Sequence, residues 1–508
     1  MSLDSVLRIA AGGLANINSQ MALVSQNVTN AATPDYARES GVQTSLTAGD
    51  QGMGVVTGAA RRQIDTALQA AAFQQGSDIA GLTARQTALQ AIDTVLGTPG
   101  QGGDLSSLLG DLRGQFSTLM NSPDNQTQRQ RAVAAAAALA RGINTLSGAY
   151  TAQRQAAQDD IVASVDTLNA TLGRIGGLSN QIIVLKSGGH STADLENQRA
   201  AAVHTLSDLI GIRTQELPSG DLLLATASGS TMPTRGAVNP FAATGASVPP
   251  GASHAGGAIP GITLNGTDVT NRLTGGRIGG DLALRDSVLP AYQGELDEFA
   301  QTLAARFDAQ GLTLFTGPTA AVPAGGGVPV QSGYIGFAAI IQVNPAVQAN
   351  PSLIRDGTSP VPGTPTGPSA FTPNPPGGPA GFTTMIERVL NYALGALAQP
   401  GVAQPSPRTI GLGPDGQLAA PFMPPASLAD FAAALTGSQA ADSASTTASL
   451  GTGQALLTSL NARLTAVSGV NMDQEMAAMI TLQNAYGANA RIISTAQTLF
   501  DQILGMVR

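Results

Sequence analysis

Three histidines are the first residues in this sequence that could do chemistry, because a neutral imidazole can act as a general base or bind a metal ion. They are His190, His204 and His254. None has a second His at the spacing of a metal motif, and the chain of 508 residues contains no cysteine, which excludes motifs such as HExxH and CxxC. His204 falls in a predicted helix and the other two fall in loops. The sequence therefore predicts no catalytic histidine and no metal site.

Two groups of acidic residues could supply paired carboxylates, the arrangement that glycoside hydrolysis needs. They are Asp159 with Asp160, and Glu295 with Asp297 and Glu298. Both groups fall in predicted helices and are most simply interpreted as solvated helix faces. Aromatic residues make up only 4% of the chain, which leaves little surface on which sugars could stack. The sequence alone does not exclude a pair of glycosidase carboxylates among these residues.

Glycine-rich segments are the usual place to look for a phosphate-binding loop. The segment GGRIGG at 275–280 lacks the Lys-Ser/Thr pair of a P-loop and does not have GxGxxG spacing. We therefore predict turns or helix breaks there, no bound cofactor and no catalytic residues. The chain is predicted not to be an enzyme, and an enzyme carried in its central insert is kept only as an alternative.

Composition excludes further classes of function. The net charge is −8, charged residues make up 11% of the chain, and there is no basic patch of the kind that binds nucleic acid. No segment approaches 18 continuous apolar residues, so we expect no membrane insertion. The N-terminus has an acid at Asp4 and no basic stretch, so no cleaved signal peptide is expected. The absence of cysteine suits any redox compartment, including the outside of a cell.

The elements that organise the chain begin with a heptad pattern at the N-terminus. Its apolar positions are Leu3, Leu7, Ala10, Leu14, Ile17, Met21, Val24 and Val28. Spacings that alternate between four and three are typical of a coiled coil or a helix-packing stripe. Gly12 and Gly13 each cost such a helix about 1 kcal/mol relative to Ala, so the helix should need a partner.

This pattern stops in the polar stretch NVTNAATPDYARES, residues 27–40. Asn30 is predicted to close the helix in the left-handed conformation, and Pro34 then prevents its continuation.

A second heptad pattern occupies the C-terminal segment. It contains Met472, Met476, Met479, Gln483, Tyr486, Ala490, Ile493, Gln497, Phe500, Leu504 and Val507. Asn471 precedes it as a natural N-cap. We therefore predict one long helix over 472–507.

The interior is mostly helical on its N-terminal side. Helices are predicted over 63–97, 105–119, 127–186, 193–212 and 281–310, and again from Leu428 onwards. Breaks are expected in the longest helix near Gly142 and 173–177, and Pro290 is expected to break or kink its own helix. Two strands joined at 218–221 are predicted after the fourth helix. A Pro- and Gly-rich texture covers 316–425.

These elements predict an α+β, mainly α fold, with N- and C-terminal helices paired as a coiled-coil or helical bundle and β- and loop-rich outer domains inserted between them. Four parts are expected: a terminal coiled-coil assembly domain (1–40 with 470–508), a long-helix bundle domain (41–192 with 281–315 and 428–469), an outer β-rich domain (193–280), and a Pro/Gly-rich outer domain or insert (316–427).

The two ends together resemble the flagellar rod–hook–filament axial protein family. The turn resembles the family's N-terminal Asn-rich motif followed by Thr-Pro-Gly-Tyr, with matches at Asn27, Asn30, Thr33, Pro34 and Tyr36. The last helix is similar to the family's C-terminal helix.

One position departs from this motif, because Asp35 replaces the usual glycine. A turn that needs positive φ there would carry strain, although Asp tolerates that conformation better than most residues.

Interior blocks narrow the resemblance to the hook-associated proteins of the hook–filament junction. Such blocks include SGVNMDQEMA and LENQRAAAVHTLSDLIGI, and the resemblance covers roughly 1–315 and 428–508. It implies a structural adaptor subunit that joins hook to filament and assembles helically through its terminal helices. Another axial subunit, of the hook or distal rod, is the alternative.

The resemblance also implies partners and a location. The expected partners are further copies of the chain, hook protein, a second junction protein or flagellin on the filament side, and a cytoplasmic export chaperone at the C-terminal helix. The expected location is extracellular, in the flagellum, after type III export. The residues assigned to the assembly interface are Leu3, Leu7, Leu14, Ile17, Met21, Val24, Val28, Asn30, Pro34, Tyr36, Arg38, Met472, Met476, Met479, Tyr486, Arg491, Ile493, Phe500, Leu504 and Val507.

Overall fold

The computed structural model describes residues 3–48, 51–97, 102–236 and 238–506. Its first and last helices, α1 (Leu3–Asn30) and α13 (Met472–Met506), pack against each other. Asn471 caps α13 as predicted, because its side-chain oxygen accepts hydrogen bonds from the backbone N–H groups of Asp473 at 3.0 Å and Gln474 at 3.2 Å. Among the predicted interface residues, Val507 lies outside the described residues, as do the side chains of Leu3 and Leu504.

Four small strands follow α1. They are β1 (Glu39–Ser40), β2 (Gln43–Ala48), β3 (Gln51–Thr57) and β4 (Arg61–Arg62). The β2–β3 hairpin packs against α1. The Thr57 hydroxyl of β3 donates a hydrogen bond to the side-chain oxygen of Asn16 in α1 at 2.5 Å. The pair β1–β4 then leads the chain into the helical body.

The helical body starts with four helices: α2 (Thr66–Leu96), α3 (Leu105–Asn121), α4 (Gln126–Ser187) and α5 (Ala193–Leu209). Side chains of Asp65, Asp104 and Asn125 accept hydrogen bonds from the first backbone N–H groups of α2, α3 and α4, which satisfies donors that the helix itself leaves unpaired.

The longest helix, α4, runs for 62 residues without interruption, so the predicted breaks near Gly142 and 173–177 are wrong. Two of these glycines, Gly142 and Gly176, allow close packing instead. A Cβ at Gly142 would lie 2.6 Å from Leu108 Cδ1, and a Cβ at Gly176 would overlap the carbonyl oxygen of Thr234. Glycine costs a helix only about 1 kcal/mol, and the packing of α4 on both sides outweighs that cost.

The region after α5 forms two small antiparallel sheets on the body. The strands are β5 (Ile212–Glu216), β6 (Leu222–Thr226), β7 (Thr231–Met232), β8 (Phe241–Ala242), β9 (Thr263–Leu264) and β10 (Thr267–Asp268). The β5–β6 hairpin is the predicted one. From α4, buried Arg154 donates to the carbonyl oxygens of Ala252, Pro249 and Arg285, which ties this region to the helices.

The predicted helix over 281–310 begins earlier and has two parts. They are α6 (Gly276–Ala283) and α7 (Leu289–Ala309), with a π-helical turn at Leu284–Val288 between them. The interruption lies immediately before Pro290, as expected for a residue that lacks the backbone N–H and restricts the residue preceding it.

The Pro- and Gly-rich segment packs against the helical body. It holds α8 (Phe337–Ile340), α9 (Pro345–Ala349), α10 (Leu353–Asp356), α11 (Thr384–Arg388), and the strands β11 (Phe315–Thr316), β12 (Gln342–Val343), β13 (Leu397–Gln399), β14 (Val402–Ala403), β15 (Ile410–Leu412) and β16 (Leu418–Ala419). Its buried Phe337, Ile341 and Met385 share one hydrophobic core with Phe116 of α3 and Phe307 of α7. The chain then returns along α2 as α12 (Leu428–Ser468). The predicted mainly α, α+β fold class is confirmed.

Candidate functional site

The candidate site is the place where α1, the start of α13 and α5 meet, which we call the terminal corner (residues 27–40, 197, 204, 468 and 475). Helix α1 ends at Asn30, whose side chain donates to the carbonyl oxygen of Gln26 at 3.1 Å. Asn30 does not adopt the predicted left-handed conformation. That conformation occurs at Asp35, where φ is 62°, because the chain continues in turns beyond α1 and reverses only after Pro34.

Asn27 is the centre of the terminal corner and is buried. Its side-chain oxygen accepts hydrogen bonds from the Tyr36 hydroxyl at 3.1 Å and from the backbone N–H of Glu39 at 3.0 Å. Its side-chain amide donates to the Glu39 carbonyl oxygen at 2.9 Å and to Glu475 Oε2 at 3.3 Å. Asn27 thus uses both ends of its amide and holds the turn against both terminal helices.

Arg38 and Glu475 join the two ends of the chain. Arg38 Nε donates to Glu475 Oε1 at 2.6 Å, and the Glu475 side chain is fully buried. The backbone N–H of Arg38 donates to the carbonyl oxygen of Ser468, the last residue of α12, at 2.8 Å. Tyr36 and Arg38, two residues of the predicted assembly interface, therefore have their polar groups engaged within this chain.

Asn197 attaches the terminal corner to α5. Its side chain accepts from the backbone N–H of Ala37 at 3.0 Å and donates to the Ala37 carbonyl oxygen and to Glu39 Oε1, both at 3.1 Å. Burial, and then the charge of Asp194, raises the pKa of Glu39. Sequence reasoning missed Asn197, because a single buried Asn on a predicted helix carries no local signal of its distant partner.

Asp35 makes a second link to α5. Its Oδ2 lies 2.7 Å from Nδ1 of His204. The His204 ring stacks on Phe73 of α2, with the ring centroids 5.5 Å apart. The hydrogen bond to Asp35 raises the pKa of His204, and burial opposes that effect. His204 thus connects the turn at Asp35 to helices α5 and α2.

The pairing of α1 with α13 uses the predicted heptad face of α1. Ala10, Ile17 and Val24 are buried at spacings of seven, and Leu7, Leu14, Met21 and Val28 are half-buried beside them. On α13, Glu475 and Ala496 are buried, and Leu482 and Asn489 lie half-buried between them. The side chain of Asn489 lies over Gly13 of α1, where an added Cβ would be 3.3 Å from its Oδ1.

The predicted heptad line of α13 lies beside this internal seam. Met479 and Ile493 are half-buried, whereas Arg491 and four large apolar side chains are exposed. Those four are Met472, Met476, Tyr486 and Phe500, with exposed fractions of 45%, 51%, 41% and 50%. Pro34, in the turn, is also exposed.

The β2–β3 hairpin adds a further apolar surface, exposing Leu46, Met53, Val55 and Val56. Sequence reasoning did not assign this hairpin a role, because its short strands have no regular apolar alternation.

The residues considered for catalysis do not converge. Glu295, Asp297 and Glu298 are buried rather than solvated, because α7 is covered on all sides. Asp297 accepts from the backbone N–H groups of Gly336 and Ala338, and Glu298 accepts from the Tyr334 hydroxyl. Asp160 forms an ion pair with Arg277 instead of acting with Asp159.

The described part of the chain has neither a candidate metal centre nor a membrane-spanning helix. It contains no group of three or more His, Cys, Asp or Glu side chains that could hold a metal ion. None of its helices combines the length and apolar character needed to cross a bilayer.

Comparison with protein-family models matches two segments. Residues 89–317 match the helical domain of flagellar hook-associated protein FlgK. Residues 465–506 match the C-terminal part of the flagellar basal body rod FlgEFG proteins.

Similar proteins include flagellar hook-associated protein 1 of Escherichia coli, 24% identical over 61% of this chain and 57% of that protein. The protein of the same name from Salmonella typhimurium is 25% identical over 61% of this chain and 56% of that protein. The chain thus matches somewhat over half the length of these relatives. The solved structure of the flagellar hook junction protein FlgK from Burkholderia pseudomallei is 23% identical with a TM-score of 0.41, covering 50% of this chain and 47% of that one. The family models and named relatives confirm the resemblance inferred from the sequence.

Proposed function

We propose that this chain, whose residues 89–317 match the FlgK helical domain and whose residues 465–506 match the C-terminal part of flagellar rod proteins, is a structural adaptor subunit that joins hook to filament. The observation that carries this proposal is the outward apolar face of α13, at Met472, Met476, Tyr486 and Phe500. These side chains have exposed fractions of 41% to 51% in the single chain. Exposed apolar side chains that line one helix face mark an assembly surface, because burying them against a neighbour is favourable.

Assembly would repeat one heterologous contact along a helical path. In this arrangement α1 and α13 form the inner layer, and their outward faces meet neighbouring copies. The contacts with neighbouring copies would include Leu7, Leu14, Met21 and Val28 of α1, Asn30 and Pro34 of the turn, and Met479, Arg491 and Ile493 of α13. Ile17 and Val24 of the predicted interface are already buried within the single chain and would support this surface from inside. Tyr36 and Arg38 would contribute by holding the terminal corner in shape, since their polar groups already have partners within the chain.

The partners follow from this position. Hook protein would lie on one side, and a second junction protein or flagellin on the other. The named relatives are hook-associated proteins, which supports these partners. A cytoplasmic chaperone would cover the apolar face of α13 before export by the flagellar type III apparatus, without a cleaved signal peptide, and the final location would be the extracellular flagellum.

In this proposal the chain has no catalytic activity. Of the acidic residues that could have formed a hydrolytic pair, Glu295, Asp297 and Glu298 lie inside the core and Asp160 is in an ion pair, which leaves exposed Asp159 without a second carboxylate to act with. A second candidate is a hook or distal-rod subunit, which is favoured by the match of residues 465–506 to rod proteins.

A strain that lacks this chain separates the two candidates. We expect intact hooks without filaments, with flagellin released into the medium, by electron microscopy and immunoblotting. Loss of the hooks themselves would support the hook or rod alternative, and normal filaments would contradict both.

The interface can be tested by returning variants of the chain to that strain. Phe500→Asp, on the outward face of α13, should abolish filament formation while the purified protein keeps the helical content of the unaltered chain. Met423→Asp is the matched control, because Met423 is 84% exposed in a loop away from α13. Equal motility of the Phe500→Asp and Met423→Asp strains would contradict the proposal that the outward face of α13 is an assembly surface.

A further inference from the structure

Asp35 and His204 form a contact between the turn after α1 and helix α5. Asp35 stands where the axial family's motif has glycine, and its φ of 62° lies in the left-handed region. An aspartate is strained there relative to glycine. The side chain has a compensating contact, since Asp35 Oδ2 lies 2.7 Å from Nδ1 of His204.

The surroundings of His204 show which charges can act on its ring. Asp35 faces it from the turn. Asp208, one helical turn further along α5, lies beside it, and the positions of Asp208 Oδ1 and His204 Nε2 are 3.3 Å and 3.9 Å from a Cβ built on Gly76. From α2 the ring meets Phe73, which is uncharged.

The same groove of about 750 Å³ that His204 and Asp208 line also contains Arg277, Asp160 and Asp281 of α4 and α6. Arg277 is paired with Asp160 in this groove. Asp35 thus contacts the imidazole directly and Asp208 lies near it, whereas Arg277, the arginine among the described residues of the groove, is paired with Asp160.

The geometry points to Asp35 and His204 as a proton-controlled clasp that fixes the terminal corner to the helical body. A protonated imidazole forms an ion pair as well as a hydrogen bond with the Asp35 carboxylate. A neutral imidazole keeps the hydrogen bond but loses the attraction between opposite charges. The clasp belongs to the chain itself and is independent of what the chain assembles with.

The raised pKa of His204 sets the direction in which the stability of the contact changes with pH. The hydrogen bond to Asp35 raises the pKa of His204 above its ordinary value of 6.5, against the effect of burial. A raised pKa in the folded state adds stability that is fully present below about pH 6.5 and is lost as pH rises through the folded-state value. The clasp should therefore hold the corner more firmly in mildly acidic than in alkaline solution.

Asp35→Asn in the full chain tests this directly. Asn also tolerates the left-handed conformation and keeps a similar shape, but it removes the negative charge. The chain has three histidines, so imidazole proton signals can be followed one by one by NMR. We expect the titration midpoint of His204 to fall in Asp35→Asn, while that of His254, which faces Asp268 instead, stays unchanged.

Hydrogen exchange of residues 31–40, corrected for the intrinsic effect of pH on exchange, gives a second readout. Protection should fall several-fold between pH 5.5 and 8.5 in the unaltered chain and change much less in Asp35→Asn. His254→Gln is the control and should behave as the unaltered chain does. An unchanged His204 midpoint in Asp35→Asn, or the same pH dependence of protection in both proteins, would overturn the clasp.

Discussion

Arg38 Nε lies 2.6 Å from Oε1 of Glu475, and the Glu475 side chain is fully buried at this contact. The same carboxylate also accepts from the side-chain amide of Asn27. One buried acid therefore holds the turn after α1 to the first turn of α13. Removing such an acceptor leaves polar donors without a partner, which costs more than the bond itself contributes.

Glu475→Ala should weaken the terminal corner by about 2 kcal/mol, in the range for hydrogen bonds to charged groups. Because the change is local, it is best measured as hydrogen-exchange protection over 31–41 and 472–480, where about 2 kcal/mol is a roughly 30-fold loss. Asp501→Ala is the control, since Asp501 is exposed on the same helix and its loss should change protection little. Equal effects of the two substitutions would mean that Glu475 does not hold the corner.

The glycines of α4 make a paired test of close packing. Gly176→Ala should destabilise the chain strongly, because the new Cβ would overlap the carbonyl oxygen of Thr234. Gly173→Ala, three residues earlier, meets no atom within 4 Å and should stabilise the helix by about 1 kcal/mol. Urea denaturation monitored by circular dichroism would show the two midpoints moving in opposite directions. A shift of both in the same direction would contradict the packing interpretation.

A buried acid in α7 predicts a pH dependence of stability. Glu295 is buried, with no hydrogen-bond partner within the described residues for either carboxylate oxygen, and burial raises its pKa to about 8. Because the folded-state pKa is raised, the group's contribution to stability is fully present below its ordinary pKa of 4.5 and is lost as pH rises through about 8.

Glu295→Gln removes this proton linkage with almost no change in size. The melting temperature of the variant relative to the unaltered chain should therefore rise steadily between about pH 5 and 8. Glu387→Gln, at an exposed position, is the control and should follow the unaltered chain. A constant difference in melting temperature across this range would show that Glu295 is already ionised in the folded protein.

Arg154 predicts how the middle of the chain is held to α4. Its guanidinium donates to the carbonyl oxygens of Ala252 at 2.9 Å and Arg285 at 3.0 Å. Arg154→Leu would leave these carbonyl groups without their donor inside the fold, at about 1–3 kcal/mol for each one. We expect faster proteolysis of the loop around 249–252. Arg174→Leu is the control, because Arg174 is exposed on the same helix, and equal cleavage of both variants would argue against this anchoring role.

Regular, local patterns were predicted well from the sequence. The heptad pattern of α1 contains the residues that the structure buries, Ala10, Ile17 and Val24, but it did not separate them from the half-buried positions beside them. Asn471 correctly identified the start of α13, since caps and helical spacing depend on neighbouring residues. The uninterrupted course of α4 through Gly176 was missed. Whether a glycine breaks a helix or admits a partner depends on what packs against it, and Thr234 is distant in sequence.

The candidate site was predicted only in part for the same reason. The turn at 27–40 was identified by its residue types. The central hydrogen bonding of Asn27, and the partners Asn197, His204 and Glu475, were not predicted. Each of these contacts joins residues that are remote along the chain. The acids of α7 were placed on the surface because their side chains are charged, whereas Asp297 and Glu298 find hydrogen-bond donors inside the core.

The bond between Arg38 and Glu475 also has a consequence for the timing of protein synthesis. These residues are 437 positions apart. At translation rates of about 5–20 residues per second, Arg38 is added to the growing chain roughly 20 to 90 seconds before Glu475. During that interval α1 has the β2–β3 hairpin to pack against but not α13. The terminal corner is therefore completed among the last parts of the fold, after the helical body has had time to form.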